Sequence, residues 1–190
     1  MKAVFLDRDG TIVVERGYIT IPGMIELIPG VAEAIVRLRA GGWKVFVATN
    51  QGCVGKGMIT EEELGEINFR MLSMLGAEGA QLDGIYVCPH HPDGTVPDYA
   101  IECDCRKPRP GLLRRAEKEL GADLRSSWVI GDRYSDMQLA WSVGASGALV
   151  KSGYGLGELT YLSEGWSKQP DLVAENLLEA VERILGPETA

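Results

Sequence analysis

Five short apolar runs recur along this chain, each five or six residues long: "KAVFL" (2–6), "KVFVAT" (44–49), "GIYVC" (84–88), "SWVIG" (127–131) and "GALVK" (147–151). Segments whose apolar residues repeat at helical spacing lie between them, with Val31, Ile35 and Leu38 before the Gly41–Gly42 stop as one example. Thr60 and Glu63 form a capping box ahead of Leu64, Ile67, Met71, Met74 and Leu75. Leu112, Leu113, Ala116 and Leu120 run to Gly121, and a further helix runs from Met137 to Val143. Asp171 is expected to cap a last helix carrying Val173, Leu177, Val181 and Ile184 on one face. Buried strands that alternate with helices must pair in parallel through right-handed crossovers. The expected fold is therefore α/β, a three-layer sandwich with a central parallel sheet.

The 190 residues suit one domain spanning 1–190, and 45% hydrophobic with 24% charged content is ordinary for a globular chain. No apolar stretch approaches the roughly 20 residues of a membrane span, and "MKAVFLDRDG" lacks the features of a secretory leader. A cytoplasmic protein is expected. A net charge of −8 argues against nucleic acid or an anionic membrane as partner, since both need a basic surface. Nothing demands a second copy, so a monomer is expected.

In parallel sheets, ligands bind beyond the carboxyl ends of the strands, where the strand order reverses. Asp7, Thr49 and Asp132 all fall at such ends. Asp7 and Asp9, one residue apart in "DRDGT", would repel each other unless a cation lay between them, and a hard dication such as Mg²⁺ does this while neutralising phosphate. One aspartate can attack phosphorus while a second acid handles the proton. Lys107 would offset the negative charge, and Thr49 with the backbone of "NQGC" can hold phosphoryl oxygens. On residue grounds alone Arg133 reads equally well as an ion-pair partner of Asp132.

Three of the four cysteines crowd into a Pro- and Gly-rich loop at about 88–106, while Cys53 stands apart. Cys88, Cys103 and Cys105 with His90 or His91 make four soft or borderline ligands, which suit a closed structural Zn²⁺ site. Such a metal would fix the loop that carries Arg106 and Lys107.

"DRDGT" resembles the DxDGT signature of the haloacid-dehalogenase-type phosphatases, and "VATN", "CRKP" and "GDRYSD" follow in the order of that superfamily's other motifs. The resemblance implies a Rossmann-like sheet, Asp7 as nucleophile, Asp9 as general acid/base, and Thr49 and Lys107 on the transferring phosphoryl group. It also implies Mg²⁺ held by Asp7, Asp9 and Asp132, with Asp136 in support. "CPHHPDG…CDCRKP" is similar to the zinc loop of the bacterial heptose bisphosphate phosphatases, which selects His90 as the fourth zinc ligand and leaves His91 in support or at the surface.

In that group the counterparts of Glu15, Arg16, Gly17 and Tyr18, of Thr49, Asn50, Gln51 and Gly52, and of Arg106, Lys107 and Arg133 contact substrate. The implied reaction removes the 7-phosphate of D-glycero-D-manno-heptose 1,7-bisphosphate, leaving the 1-phosphate for activation toward ADP- or GDP-heptose in lipopolysaccharide or surface glycans. Zinc-containing histidinol-phosphatase domains share most of these motifs and are the nearest alternative. An inactive zinc-stapled binding module is the alternative of another class, although no catalytic motif is missing. The gaps after the first and third strands are too short for a cap domain, so loops must close the site over a small phosphorylated substrate.

Overall fold

The computed structural model describes residues 1–186 of the chain. Each predicted apolar run is a strand: β1 (Ala3–Leu6), β2 (Lys44–Asn50), β3 (Gly84–Cys88), β4 (Trp128–Gly131) and β5 (Ser146–Val150). A sixth strand, β6 (Leu172–Ala174), was not anticipated. All pair in parallel in the order β3-β2-β1-β4-β5-β6. The helices are α1 (Val31–Ala40), α2 (Gly52–Gly55), α3 (Glu61–Ala77), α4 (Gly111–Leu120), α5 (Tyr134–Ser142), α6 (Gly155–Tyr161) and α7 (Leu177–Leu185).

Successive strand residues face opposite sides of a sheet, so each apolar strand feeds two cores. Val4, Leu6, Val45 and Val47 pack with Ile35 and Leu38 of α1, Ile67 and Met71 of α3, and Leu177 and Val181 of α7. Ala3, Phe5, Phe46 and Ala48 face Leu112, Leu113 and Ala116 of α4 and Leu139 and Ala140 of α5. Phe5 and Phe46 stack on this second side with ring centroids 5.6 Å apart. The three-layer sandwich is thus set by side-chain alternation within the strands.

Strand order reverses between β1 and β4, so their carboxyl ends open a crevice at the switch point. Asp7 leaves β1 there, its N–H bonded to Ile130 O at 2.9 Å. Residues 7–30 and 89–110 hold only one short 3₁₀ turn (Pro22–Met24), so neither gap contains a cap domain. The first is a compact loop, closed by a bridge between Val13 and Leu27. Among the described residues, no helix is long and apolar enough to cross a membrane.

Two boundaries differ from expectation. Asp171 does not cap the last helix; its Oδ2 accepts from Gly147 N and Trp141 Nε1, both at 2.8 Å, which ties the start of β6 to β5. Val173 pairs with Leu149 in the sheet, and Asn176 caps α7 by accepting from Glu179 N at 3.0 Å. A three-residue strand has too little length to separate period 2 from a first helical turn. Helix α5 begins at Tyr134, before Met137, because Asp136 Oδ2 accepts from Arg133 N at 3.2 Å and caps it. The capping box at Thr60 and Glu63 is present as expected.

Candidate active site

At the crevice, Lys107 Nζ lies 2.8 Å from Asp7 Oδ1 and 2.7 Å from Asp136 Oδ1. Carboxylate oxygens of Asp7, Asp132 and Asp136 fall within 4.8 Å of one another, all buried. One ammonium therefore faces three carboxylates. Burial, then the charges of Asp7 and Asp136, push Asp132 up to about 8. Burial likewise raises Asp136 to about 6 against the opposing pull of Lys107, while the two carboxylates keep Lys107 firmly protonated, its pKa raised despite burial. An all-oxygen donor set with surplus negative charge fits a hard dication such as Mg²⁺.

The backbone makes room for that set. A Cβ at Gly10 or at Gly153, both at positive φ, would sit 2.2 Å from Asp132 Oδ2. Tyr154 N donates to the same oxygen at 2.8 Å, and Ser152 Oγ donates to Gly10 O at 2.7 Å, so the loop after β5 is clamped onto the "DRDGT" turn. The Asp9 carboxylate, expected among the cation ligands, is outside this cluster. It faces Arg8 and Gln51 instead, accepting from Arg8 Nε at 3.1 Å, Arg8 Nη2 at 3.2 Å and Gln51 Nε2 at 2.7 Å.

A cavity of about 430 Å³ opens above these groups. Glu15, Gly17 and Tyr18 line it from the first loop, and Thr49, Asn50 and Gly52 from the end of β2. Arg106, Lys107 and Arg133 bring positive charge to its wall. Asn50 also braces Lys107, accepting from its N–H at 3.0 Å and donating to its carbonyl at 3.2 Å. Two expected substrate contacts are placed elsewhere: Arg16 pairs with Glu26 at the exposed surface, and Gln51 is buried, donating to Asp9 and, at 3.0 Å, to Thr49 Oγ1. The Arg133 guanidinium lies 3.7 Å from the Tyr154 ring centroid and 3.7 Å from Glu158 Oε1, so its acidic partner is Glu158 and not Asp132.

Sequence reasoning missed Arg8, which is fully buried, and Tyr154, which lines the cavity from an irregular loop. His91, expected in support or at the surface, is at the cavity wall, its Nδ1 accepting from Asp93 N at 3.1 Å. Arg8 lies inside "DRDGT" and His91 inside "CPHHPDG", but residue order alone does not show that the first is buried or that the second reaches the cavity, and no motif marks Tyr154.

Beside the cavity, Cys88, His90, Cys103 and Cys105 present ligand atoms within 4.8 Å of one another, and His90 takes the fourth place as the resemblance implied. Cys88 and Cys103 sulfurs are 3.5 Å apart, Cys103 and Cys105 3.3 Å, and His90 Nδ1 is 3.3 Å from Cys105 Sγ. A disulfide needs about 2.05 Å. These edges are close to the about 3.8 Å of a tetrahedron with about 2.3 Å arms, which fits Zn²⁺. Burial pushes the Cys88 thiol up to about 11, and burial with its thiol neighbours raises Cys105, so a cation is what would hold these groups as thiolates. The loop reaches the cavity through Arg106, whose Nη1 donates to His90 O at 3.0 Å.

Comparison with known proteins agrees with this geometry. A family model described as HAD-hydrolase-like matches residues 104–180. The chain is 36% identical to the D-glycero-beta-D-manno-heptose-1,7-bisphosphate 7-phosphatase of Pasteurella multocida over 97% of both chains. It is 45% identical to that of Photorhabdus laumondii over 74% of both. Among solved structures, the D,D-heptose 1,7-bisphosphate phosphatase of B. bronchiseptica complexed with magnesium and phosphate superposes with a TM-score of 0.86 at 32% identity, covering 97% of this chain and 98% of that one. With the crevice, the carboxylate cluster and the Cys/His loop in place, these likenesses put the chain in the heptose bisphosphate phosphatase family of the haloacid-dehalogenase-like hydrolases.

Proposed function

We propose that the chain is a Mg²⁺-dependent phosphatase that removes the 7-phosphate of D-glycero-D-manno-heptose 1,7-bisphosphate through an aspartyl-phosphate on Asp7. The observation that carries this reading is Asp7 itself: at the switch point, bonded to Lys107 at 2.8 Å and opening onto a cation-lined cavity. The names of the relatives, and the magnesium and phosphate of the B. bronchiseptica structure, support the substrate and the metal.

An Asp7 oxygen attacks phosphorus as the bond to the sugar oxygen breaks, and Asp9 gives that oxygen its proton. Water then attacks the aspartyl-phosphate, its proton passes to Asp9, and Asp7 leaves as a carboxylate. Lys107 and Thr49 hold the phosphoryl oxygens through both steps. Asp7 and Asp132 would hold Mg²⁺, which supplies neutralisation of the phosphoryl charge. Asp136 keeps Lys107 in place from behind. Arg106 and Arg133 hold the retained 1-phosphate or the sugar hydroxyls, and Glu15, Gly17 and Tyr18 border the sugar.

Zn²⁺ in the Cys88, His90, Cys103 and Cys105 set is structural, because four protein ligands leave no position for water. Thiols kept for metal suit the reducing cytoplasm, where the product 1-phosphate would enter nucleotide activation for lipopolysaccharide or surface glycans. The chain acts as a monomer on a small sugar phosphate, with no nucleic acid or membrane partner. The test is release of phosphate by the zinc-loaded protein with Mg²⁺ from heptose bisphosphate, histidinol phosphate and other phosphorylated metabolites. Heptose bisphosphate is expected to be the preferred substrate, and Asp7→Asn to abolish turnover without unfolding the protein. Preference for histidinol phosphate would overturn the substrate, and no turnover of any would overturn the enzyme reading.

A further inference from the structure

Arg8 sits between the two catalytic aspartates with no solvent exposure at all. A buried guanidinium is costly unless its donors are satisfied, and four of its five N–H groups are. Nε and Nη2 form a fork on the two oxygens of Asp9, Nη2 also donates to Gln51 Oε1 at 2.7 Å, and Nη1 donates to Asn68 Oδ1 on α3 at 3.0 Å. Gln51 closes the circuit, its Nε2 donating to Asp9 at 2.7 Å and to Thr49 Oγ1 at 3.0 Å. Each of these three bonds to Asp9 is donated to it. The bidentate fork fixes the plane of the carboxylate, which a lysine's single point charge would not.

We infer that Arg8, with Gln51 and Asn68, is a positioning clamp that holds Asp9 as a proton acceptor toward the water that cleaves the Asp7 aspartyl-phosphate. The inference rests on the proposed function. In the step concerned, the water oxygen bonds to phosphorus, the bond from phosphorus to Asp7 breaks, and the water proton passes to the Asp9 carboxylate. Formation of the aspartyl-phosphate from an ester with a good leaving group needs no proton from Asp9 and so does not depend on the clamp. Breakdown depends on it for every substrate. The clamp also ties the phosphate loop after β2 and the helix α3 to this one proton transfer, through Gln51 and Asn68.

The test uses the zinc-loaded protein with Mg²⁺ and p-nitrophenyl phosphate in rapid-mixing kinetics, with acid-quenched mass analysis of phosphorylated Asp7. Arg8→Lys is expected to show a nitrophenol burst near one equivalent at close to the wild-type rate, a steady-state kcat lower by about 10- to 100-fold, less than the about 10²- to 10⁴-fold of a lost acid/base group because Asp9 itself remains, and accumulated phospho-enzyme. Asn68→Ala, which leaves the fork on Asp9, is expected to show the same pattern more weakly and decides the matter where Arg8→Lys does not fold. A merely structural role would lower burst and steady state together, and that result, or unchanged kinetics in a folded variant, would overturn the clamp. Wild-type protein that hydrolyses the ester without forming phospho-Asp7 would instead overturn the proposed mechanism, and the clamp with it.

Discussion

Replacing Lys107 by methionine removes one positive charge from a place where three carboxylates meet. The Lys107 and Asp136 side chains are 3% and 0% exposed, and the ammonium is 2.7 Å from Asp136 and 2.8 Å from Asp7. Breaking a buried pair by removing one partner costs about 3–5 kcal/mol, chiefly through the uncompensated charge left behind. Against a typical total of about 5–15 kcal/mol this is large but survivable.

The loss should depend on pH. The folded-state pKa of Asp136 is already raised to about 6, and that of Asp132 to about 8, against about 3.9 in the unfolded chain. Folding therefore favours their protonated forms, and the stability tied to protonation is complete below about pH 4 and is lost as pH rises through the folded values. Without Lys107 both values rise further, so the deficit of Lys107→Met is greatest at pH 8 and falls to about half or less at pH 5, where the orphaned carboxyls can protonate. The assay is urea unfolding followed by tryptophan fluorescence, with zinc-loaded protein and no added Mg²⁺, and then with Mg²⁺, which should recover part of the loss at pH 8. Equal destabilisation at both pH values, or a loss under about 1 kcal/mol at pH 8, would refute the charge-compensation argument.

Two further substitutions probe the proposed metal sites. Gly153→Ala puts a Cβ 2.2 Å from Asp132 Oδ2 at a residue with φ +57°, so a cost of about 1–3 kcal/mol and a raised Mg²⁺ requirement are expected from unfolding and activation curves; an unchanged requirement would contradict the role given to Asp132. Cys103→Ser should lower bound zinc, measured by elemental analysis, and raise KM through the loosened Arg106 contact to His90; full zinc content would refute the ligand set.

Much of this was legible in residue order because the features involved are local. The five longer apolar runs show strand length directly, and the Thr60–Glu63 cap is a four-residue pattern. Asp7 and Asp132 lie in compact motifs directly after strands and Lys107 in a compact motif of the loop before α4, and the structure brings all three to one crevice. What was missed depends on long-range partners. Strand β6 becomes a strand only by pairing Leu149 with Val173, and Asp171 looks like a cap until Trp141 and Gly147 claim its carboxylate. Gln51 falls within an expected substrate-contact stretch, yet the buried Arg8 turns its side chain inward. Arg133 was read beside its sequence neighbour Asp132, whereas α6 brings Glu158 to it from twenty-five residues further along the chain.

The central claim is that Asp7 opens a phosphate-transfer route specific for one end of a sugar bisphosphate. Phosphorus NMR of D-glycero-β-D-manno-heptose 1,7-bisphosphate incubated with the zinc-loaded protein and Mg²⁺ tests it most directly. The C7 phosphate signal should give way to inorganic phosphate while the C1 signal persists, and the Asp7→Asn variant should leave both signals intact. Loss of the C1 phosphate, or persistence of both with the wild-type protein, would contradict it.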